Sequence, residues 1–258
     1  MSFRKPAAAF LVNAARMFYQ RGDPPAKAPT GVRIVIDMQN VSFGYRGGDV
    51  LLAEMSLELQ PGAFQFLTGP SGSGKTTFLR LCTGDLLPTQ GRMTAFGQDM
   101  AAMGRDDRAD LRRRIGLVPQ DAEFLDHLPV AENVALPLTV AGAPLDFDAL
   151  RELLGWVGLA PQARALPPSL SGGERQRAAL ARAVIQSPDL VLADEPTGNL
   201  DWEMSMRLLQ LLIELNRSGK AILIATHDLN LIRAAKAQVS ARVLRIAGNH
   251  LHQAGADL

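Results

Sequence analysis

Cysteine and long apolar segments are both scarce in this sequence, and each scarcity excludes a class of protein. Cys82 is the only cysteine among 258 residues, so the thiol has no partner in the chain and a reducing compartment such as the cytosol is favoured. No apolar run approaches the roughly 20 residues that a membrane-spanning helix needs. Any association with a membrane would therefore depend on a surface helix or on a partner protein.

A strong excess of one charge sign is also missing from most of the chain. Lys and Arg number 27 against 26 Asp and Glu. Residues 1–33 hold six basic side chains and one acidic side chain, which leaves 21 basic and 25 acidic side chains in the rest. Because nucleic-acid binding usually requires a basic face, this mildly acidic body argues against a nucleic acid as the partner.

The basic residues 1–33 are predicted to form an N-terminal tail and a linker. Phe10, Leu11, Ala14 and Phe18 fall on one helical face, and the proline-rich stretch 24–29 is typical of a linker. Two interpretations stay open for this segment. It is either a poorly ordered tail or a basic amphipathic segment that lies on the anionic inner-membrane surface.

The most informative stretch is a glycine-rich loop of the pattern G-x-x-x-x-G-K-T. It follows an apolar strand-like segment, Phe64–Thr68, and precedes a helical pattern, which is the context of a phosphate-binding loop rather than of an ordinary turn. Glycines let successive backbone N–H groups converge on phosphate oxygens, Lys75 can reach the terminal phosphates, and the Thr76 hydroxyl can bind Mg²⁺. The predicted nucleotide-binding residues here are Gly69, Pro70, Ser71, Gly72, Ser73, Gly74, Lys75, Thr76 and Thr77.

An acidic pair, Asp194 and Glu195, follows a second apolar segment, Leu190–Ala193. Beside a phosphate-binding loop, the first carboxylate can hold Mg²⁺ and the second can activate the water that attacks the terminal phosphate. We therefore predict Asp194 as a metal ligand and Glu195 as the general base. The alternative is that both carboxylates are only solvated at the end of a strand.

A third stretch, Ser171-Gly172-Gly173-Glu174, begins a clear helical pattern. Serine and glycine at a helix start expose N–H groups at the positive end of the helix dipole, so they predict a further anion site.

The pattern along residues 34–250 alternates between strands and helices, which predicts an α/β domain with a mainly parallel sheet. Between about residues 125 and 164 the pattern becomes helical, with interruptions at Pro137, Pro144 and Pro161, so we expect an inserted helical subdomain at about 125–187. Residues 251–258 are predicted to be a short C-terminal tail. The predicted strands are Ile34–Val41, Met55–Leu59, Phe64–Thr68, Ile115–Val118, Leu190–Ala193, Ala221–Ala225 and Val243–Ile246.

The three motifs and their order, from Val41 to about Ile246, resemble the ABC ATPase family. The resemblance implies a P-loop NTPase fold of ABC type: a mixed, mainly parallel sheet core with an inserted helical subdomain and an antiparallel β edge. It further implies that Tyr45 stacks on adenine, Gln120 senses Mg²⁺ and the γ-phosphate, Asp201 belongs to the D-loop, and His227 is the catalytic switch histidine, beside Lys75.

The resemblance also implies ATP as the nucleotide and a homodimer as the working unit. In this family the signature stretch of one copy closes over the nucleotide of another. Ser171, Gly172, Gly173 and Glu174 would thus complete the site of a second subunit, with Ser171 and Gly173 as donors around the γ-phosphate.

Within the family, Ala193–Asp201 resembles the branch that drives work through a membrane partner, and Phe124–Val130, Asn133–Leu138 and Leu154–Leu159 resemble FtsE-type ATPases. The resemblance implies a peripheral subunit on the cytoplasmic face of the bacterial inner membrane, docked through residues Gln120–Leu138 to an FtsX-type integral protein. ATP-driven closure would activate cell-wall hydrolysis during division. The alternative is a lipoprotein-release or macrolide-efflux ATPase with the same chemistry. A soluble ABC protein acting on DNA or ribosomes is disfavoured, because the chain has one cassette and no room for a long coiled coil.

Overall fold

The computed structural model of the chain describes residues 34–253. The tail and linker predicted for residues 1–33 lie outside the described residues. Within the described range, no helix combines the length and the apolarity that crossing a membrane requires.

A six-stranded sheet forms the centre of the molecule, in the order β10-β9-β3-β8-β7-β6. Its neighbouring strands run parallel except for β10, which pairs antiparallel with β9. Every residue of β3, β7 and β8 is buried, which explains their continuous apolar runs. The strands are β3 (Phe64–Thr68), β6 (Ile115–Val118), β7 (Leu190–Asp194), β8 (Ala221–Ala225), β9 (Ala241–Ala247) and β10 (His250–Gln253).

A smaller, fully antiparallel sheet lies beside it, in the order β2-β1-β4-β5. Its inward residues share one apolar cluster with one face of the large sheet, which also buries Phe78, Leu79 and Cys82. Burial raises the pKa of the Cys82 thiol, so this residue behaves as a small apolar side chain. The strands are β1 (Ile36–Gly44), β2 (Val50–Leu59), β4 (Gln90–Ala95) and β5 (Gln98–Asp99).

Helices cover the large sheet, and those between β6 and β7 form the helical insertion. Their apolar faces join β3 and β7 in a second cluster on the other side of the sheet. The helices are α1 (Lys75–Cys82), α2 (Arg105–Arg114), α3 (Val130–Val140), α4 (Phe147–Trp156), α5 (Gly172–Val184), α6 (Trp202–Arg217) and α7 (Leu229–Lys236), with a short 3₁₀ turn at Pro167–Ser169.

The predicted fold class is confirmed, but several local predictions need correction. Strands β4, β5 and β10 were not predicted, and residues 251–253 belong to β10 rather than to a tail. Pro137 lies inside α3 instead of interrupting it, and the side chain of Gln186 donates to the Pro137 carbonyl at 2.7 Å. Several strand bounds also differ by a few residues; β2, for example, begins at Val50 rather than at Met55.

Candidate active site

The glycine-rich loop joins the carboxyl end of β3 to the start of α1. Gly69 has φ of 154°, and a Cβ there would lie 2.6 Å from Ser73 Oγ and 2.8 Å from the Ile246 carbonyl oxygen. Gly74 has φ of 95°, and a Cβ there would lie 2.8 Å from a methyl carbon of Leu52. Both positions therefore require glycine, since any other residue would distort the loop.

Two polar side chains of the loop differ in their access to the cavity. The Lys75 ammonium folds back over the loop and donates to the carbonyl oxygens of Gly69 at 3.0 Å and Pro70 at 3.1 Å. The Ser73 hydroxyl is buried and makes no hydrogen bond to any described residue. An unpaired buried hydroxyl is costly. Ser73, a predicted nucleotide-binding residue, does not line the cavity that the rest of the loop forms.

Asp194 ends β7 directly opposite the loop and is 4% exposed. Its carboxylate accepts a hydrogen bond from the Thr76 hydroxyl at 2.5 Å. Burial raises the pKa of the Asp194 carboxyl, and the Thr76 bond opposes that rise; the neighbouring Glu195 raises the pKa further, while Lys75 lowers it. The site therefore holds a carboxyl group with a reduced tendency to ionise.

Glu195 follows Asp194 with φ of 45°, a left-handed conformation that turns the chain sharply at the strand end. Its Oε1 lies 2.8 Å from His227 Nδ1, and its Oε2 accepts from the Thr226 hydroxyl at 3.1 Å. Thr226 and His227 come directly after β8, the neighbour of β7. The parallel sheet thus places the ends of three strands, β3, β7 and β8, around one point.

Lys75, Thr76, Asp194, Glu195 and His227 line one open cavity of about 520 Å³. That volume is in the range of ligand-binding clefts. Carboxylate, amide and hydroxyl oxygens converge there, and oxygen ligands of this kind are those that Mg²⁺ prefers. Leu51, which no sequence motif indicated, also lines it; it lies in β2 and supplies an apolar wall. The predicted residues that the cavity brings together are Gly69, Pro70, Ser71, Gly72, Gly74, Lys75, Thr76, Thr77, Gln120, Asp194, Glu195 and His227.

Tyr45, predicted to stack on adenine, lies just after β1 beside this cavity rather than in its lining. The ring is 48% exposed and packs edge-on against Phe43 at 5.0 Å between centroids. Its hydroxyl lies 3.2 Å from the Thr77 hydroxyl, so the tyrosine is tied to the residue that follows the loop.

The residues predicted to bind an anion at the start of α5 do not line this cavity. Ser171, Gly172, Gly173 and Asp201 line a second cavity of about 570 Å³, and among the described residues the two cavities share no lining side chain. Glu174 accepts from both the backbone N–H and the hydroxyl of Ser171 at 2.8 Å, bonds that lower the pKa of the Glu174 carboxyl. Asp201 caps α6 by accepting from the Met204 N–H at 2.8 Å.

A family comparison agrees with this geometry: the sequence profile of the ABC transporter family matches residues 52–198. The chain belongs to the ABC transporter family. It is 43% identical over 221 residues to the cell division ATP-binding protein FtsE of Escherichia coli strain K12, covering 84% of this chain and 97% of that protein. It is 38% identical over 209 residues to the FtsE protein of Bacillus subtilis strain 168, covering 80% of this chain and 92% of that protein.

Solved structures agree with this membership. A dimeric post-hydrolysis state of the ATP-binding cassette MJ0796, bound to ADP and Pi, superimposes with a TM-score of 0.76 at 30% identity, covering 84% of this chain and 98% of that one. A second dimeric MJ0796 structure gives a TM-score of 0.76 at 32% identity, with 84% and 97% covered. The FtsE-type resemblance and the ABC cassette fold are thereby confirmed, and the chain is an ATP-binding ATPase of the ABC family.

Proposed function

We propose that this ATPase is the nucleotide-driven subunit of an FtsE-type membrane complex in cell division. The observation that carries the proposal is the cavity that joins the phosphate-binding loop to Asp194, Glu195 and His227, in a chain that matches FtsE proteins over nearly their whole length. We take the predicted residues 34–250 as the ATPase domain, extended to Gln253 because β10 belongs to its sheet.

ATP would bind through the loop between β3 and α1. The converging N–H groups and the start of α1 favour the phosphates electrostatically. Lys75 would exchange its two carbonyl partners for phosphate oxygens. Tyr45, held beside the loop through Thr77, is suited to contact the base.

The oxygen donors of the cavity fit a magnesium ion. Thr76, Gln120 and Asp194 would hold it, and the Thr76–Asp194 hydrogen bond already brings two of these donors together. When bound, the ion supplies positive charge that offsets the charge on the terminal phosphates. A nearby cation favours the ionised form of Asp194, opposing the effect of burial.

Glu195 is the proposed general base and His227 its mobile partner. The Glu195 side chain is 13% exposed, whereas that of His227 is 77% exposed. A carboxylate held in this way can accept a proton from an attacking water, and the exposed imidazole is free to leave the carboxylate and meet the γ-phosphate.

A head-to-tail dimer would complete each site. Ser171 and Gly173 line a separate cavity within one chain, so their N–H and hydroxyl groups need a second copy to reach a nucleotide. The dimeric state of both MJ0796 structures supports this assembly.

Residues Gln120–Leu138 are the proposed docking segment for an FtsX-type integral protein, which would hold the ATPase at the cytoplasmic face of the inner membrane. Leu125 is 41% exposed in this segment. From α5, Arg182 donates to the Glu123 carbonyl at 2.7 Å, and its guanidinium lies 4.6 Å from the Phe124 ring centroid. Helix α5, which Ser171 caps, is thus bonded to the proposed docking segment. Dimer closure would move both together and activate cell-wall hydrolysis through the partner.

Capture of a trapped complex tests the proposal. Glu195→Gln should bind ATP without turnover, because the amide cannot accept the proton of the attacking water. Tagged Glu195→Gln protein is incubated with ATP and Mg²⁺ in solubilised native membranes, and the bound proteins are identified by mass spectrometry, with Lys75→Ala as the matched control that cannot hold ATP. A permease-like protein recovered with division proteins supports the proposal. Recovery of lipoprotein-release or efflux subunits instead contradicts it.

A further inference from the structure

Thr226 lies beside Glu195 because their strands are neighbours in register. Asp194 of β7 pairs with Ala225 of β8, and the Glu195 N–H donates to the Ala225 carbonyl at 2.8 Å. On its other side, the Thr226 N–H donates to the Leu67 carbonyl at 3.0 Å, and the residue is 0% exposed. The backbone of Thr226 is therefore fixed between β3 and β7, and its hydroxyl has little freedom.

The Thr226 hydroxyl donates to Glu195, because an ionised carboxylate can only accept a hydrogen bond. The Asp228 N–H donates to the Thr226 hydroxyl oxygen at 3.1 Å, so that oxygen is already an acceptor. A hydroxyl has one hydrogen, and here it points to Glu195 Oε2 at 3.1 Å. Asp228 is fixed in turn because its carboxylate caps α7 by accepting from the N–H groups of Asn230 and Leu231.

The two oxygens of Glu195 consequently differ. Oε2 is bound to a fully buried hydroxyl, whereas Oε1 meets the imidazole of the exposed His227, which lines the nucleotide cavity. Holding one oxygen fixes the carboxylate plane and leaves the other oxygen for the reacting water. Small errors in such placement are costly, since a shift of about 1 Å can reduce a rate roughly 100-fold.

We infer that Thr226 is a positioning residue for hydrolysis, whose hydroxyl holds Oε2 of Glu195 so that Oε1 faces the nucleotide cavity. The inference rests on the proposed role of Glu195 as the general base. Thr226 itself touches neither nucleotide nor water in this scheme, and it acts through the carboxylate alone.

Steady-state ATPase kinetics of the full chain test this inference with variants matched in volume. Thr226→Val keeps the shape but removes the hydroxyl, and we expect kcat to fall about ten-fold or more while the KM for ATP stays within about two-fold. Thr226→Ser and Thr226→Ala both lack the threonine methyl group, but only the serine keeps the hydroxyl. We expect kcat to be near wild type for Thr226→Ser and low for Thr226→Ala. A kcat for Thr226→Val within two-fold of wild type, or equal kcat values for the serine and alanine variants, would overturn the inference.

A double-mutant cycle separates positioning from a general structural effect. In the Glu195→Gln background, adding Thr226→Val should leave the residual single-turnover rate within about two-fold, because a group that acts only through Glu195 has nothing left to position. A further large loss would contradict the inference. If Glu195→Gln alone keeps normal turnover, the proposed role of Glu195 fails. If Glu195→Gln is inactive but Thr226→Val is normal, only the role of Thr226 fails.

Discussion

Asp194 is under two opposing demands, since the proposed metal binding would need its carboxylate charged and burial penalises that charge. Burial holds its pKa above the ordinary aspartate value in the folded chain. The folded protein therefore binds more protons than the unfolded chain between the two pKa values, so its stability falls as pH rises through that window. At neutral pH the nucleotide-free protein carries the full cost of this buried charge.

Replacing Asp194 by Asn should consequently stabilise the nucleotide-free protein and abolish ATP hydrolysis. The amide keeps an acceptor for Thr76 and removes the buried charge, so we expect Tm to rise by about 1–4 °C at pH 7.5. The gain should shrink as pH falls through the raised pKa of the folded Asp194 carboxyl and be lost near the ordinary aspartate value of about 4. Scanning calorimetry at both pH values measures this, with Asp148→Asn as the exposed control. A Tm for Asp194→Asn below that of wild type at pH 7.5 would contradict the argument.

Single residues of the site were predictable where their chemistry is tied to sequence spacing. Lys75, Thr76, Asp194 and Glu195 follow apolar strands at fixed offsets, and parallel strands bring their carboxyl ends to one edge. Thr226 carries no such signal, because a threonine after an apolar strand is unremarkable until the register of β7 against β8 is known.

At the scale of elements, Asn133 organises the turn that precedes α3. The side chain is fully buried and bonds the N–H and carbonyl of Leu125 at 2.8 and 3.0 Å and the Leu128 carbonyl at 2.8 Å. The buried Asn133 amide thus holds the backbone of the exposed part of the proposed docking segment through hydrogen bonds.

Replacing Asn133 by Ala should therefore destabilise the fold and disorder the docking surface together. Leaving these backbone groups unpaired should cost about 2 kcal/mol, which corresponds to a Tm loss of roughly 4–8 °C. Asn216→Ala is the matched control, because that side chain binds the carbonyls of Gly62 and Lys220, away from the segment. Both variants should melt earlier, and only Asn133→Ala should lose the membrane partner in the capture experiment. Equal partner recovery by the two variants would separate Asn133 from docking.

Strands could be predicted from the sequence most accurately where burial on both faces gives them a continuous apolar run. Strands β3, β7 and β8 are buried throughout and so carry apolar runs, whereas β4 begins with three exposed residues and β10 with His250-Leu251-His252 is almost entirely polar. Strands with such exposed residues take their structure from neighbouring strands: β4 lies between β1 and β5, and β10, at the edge of its sheet, pairs with β9. The residues of such a strand alone do not show which neighbouring strand it pairs with.

For the whole molecule, one chain carries two separate cavities, which the proposed head-to-tail dimer would bring together. The phosphate-binding loop lines one cavity and Ser171 lines the other, with no lining residue in common among the described residues. Binding of ATP by the loop and assembly of the dimer should therefore be separable by mutation. A chain whose Ser171 is blocked should still bind nucleotide, because its own loop is intact.

Ser171→Arg in the Glu195→Gln background should bind ATP with an affinity within about two-fold of the parent at protein concentrations where both are monomeric. It should nevertheless stay monomeric with ATP and Mg²⁺, while Glu195→Gln alone dimerises, because the arginine occupies the space that the partner's γ-phosphate needs. Light scattering coupled to gel filtration gives the mass, and Ser218→Arg, an exposed site at the far end of α6, controls for the added charge. An ATP-dependent dimer of Ser171→Arg equal to that of the control would mean that Ser171, at the start of α5, does not close over the nucleotide of a second copy.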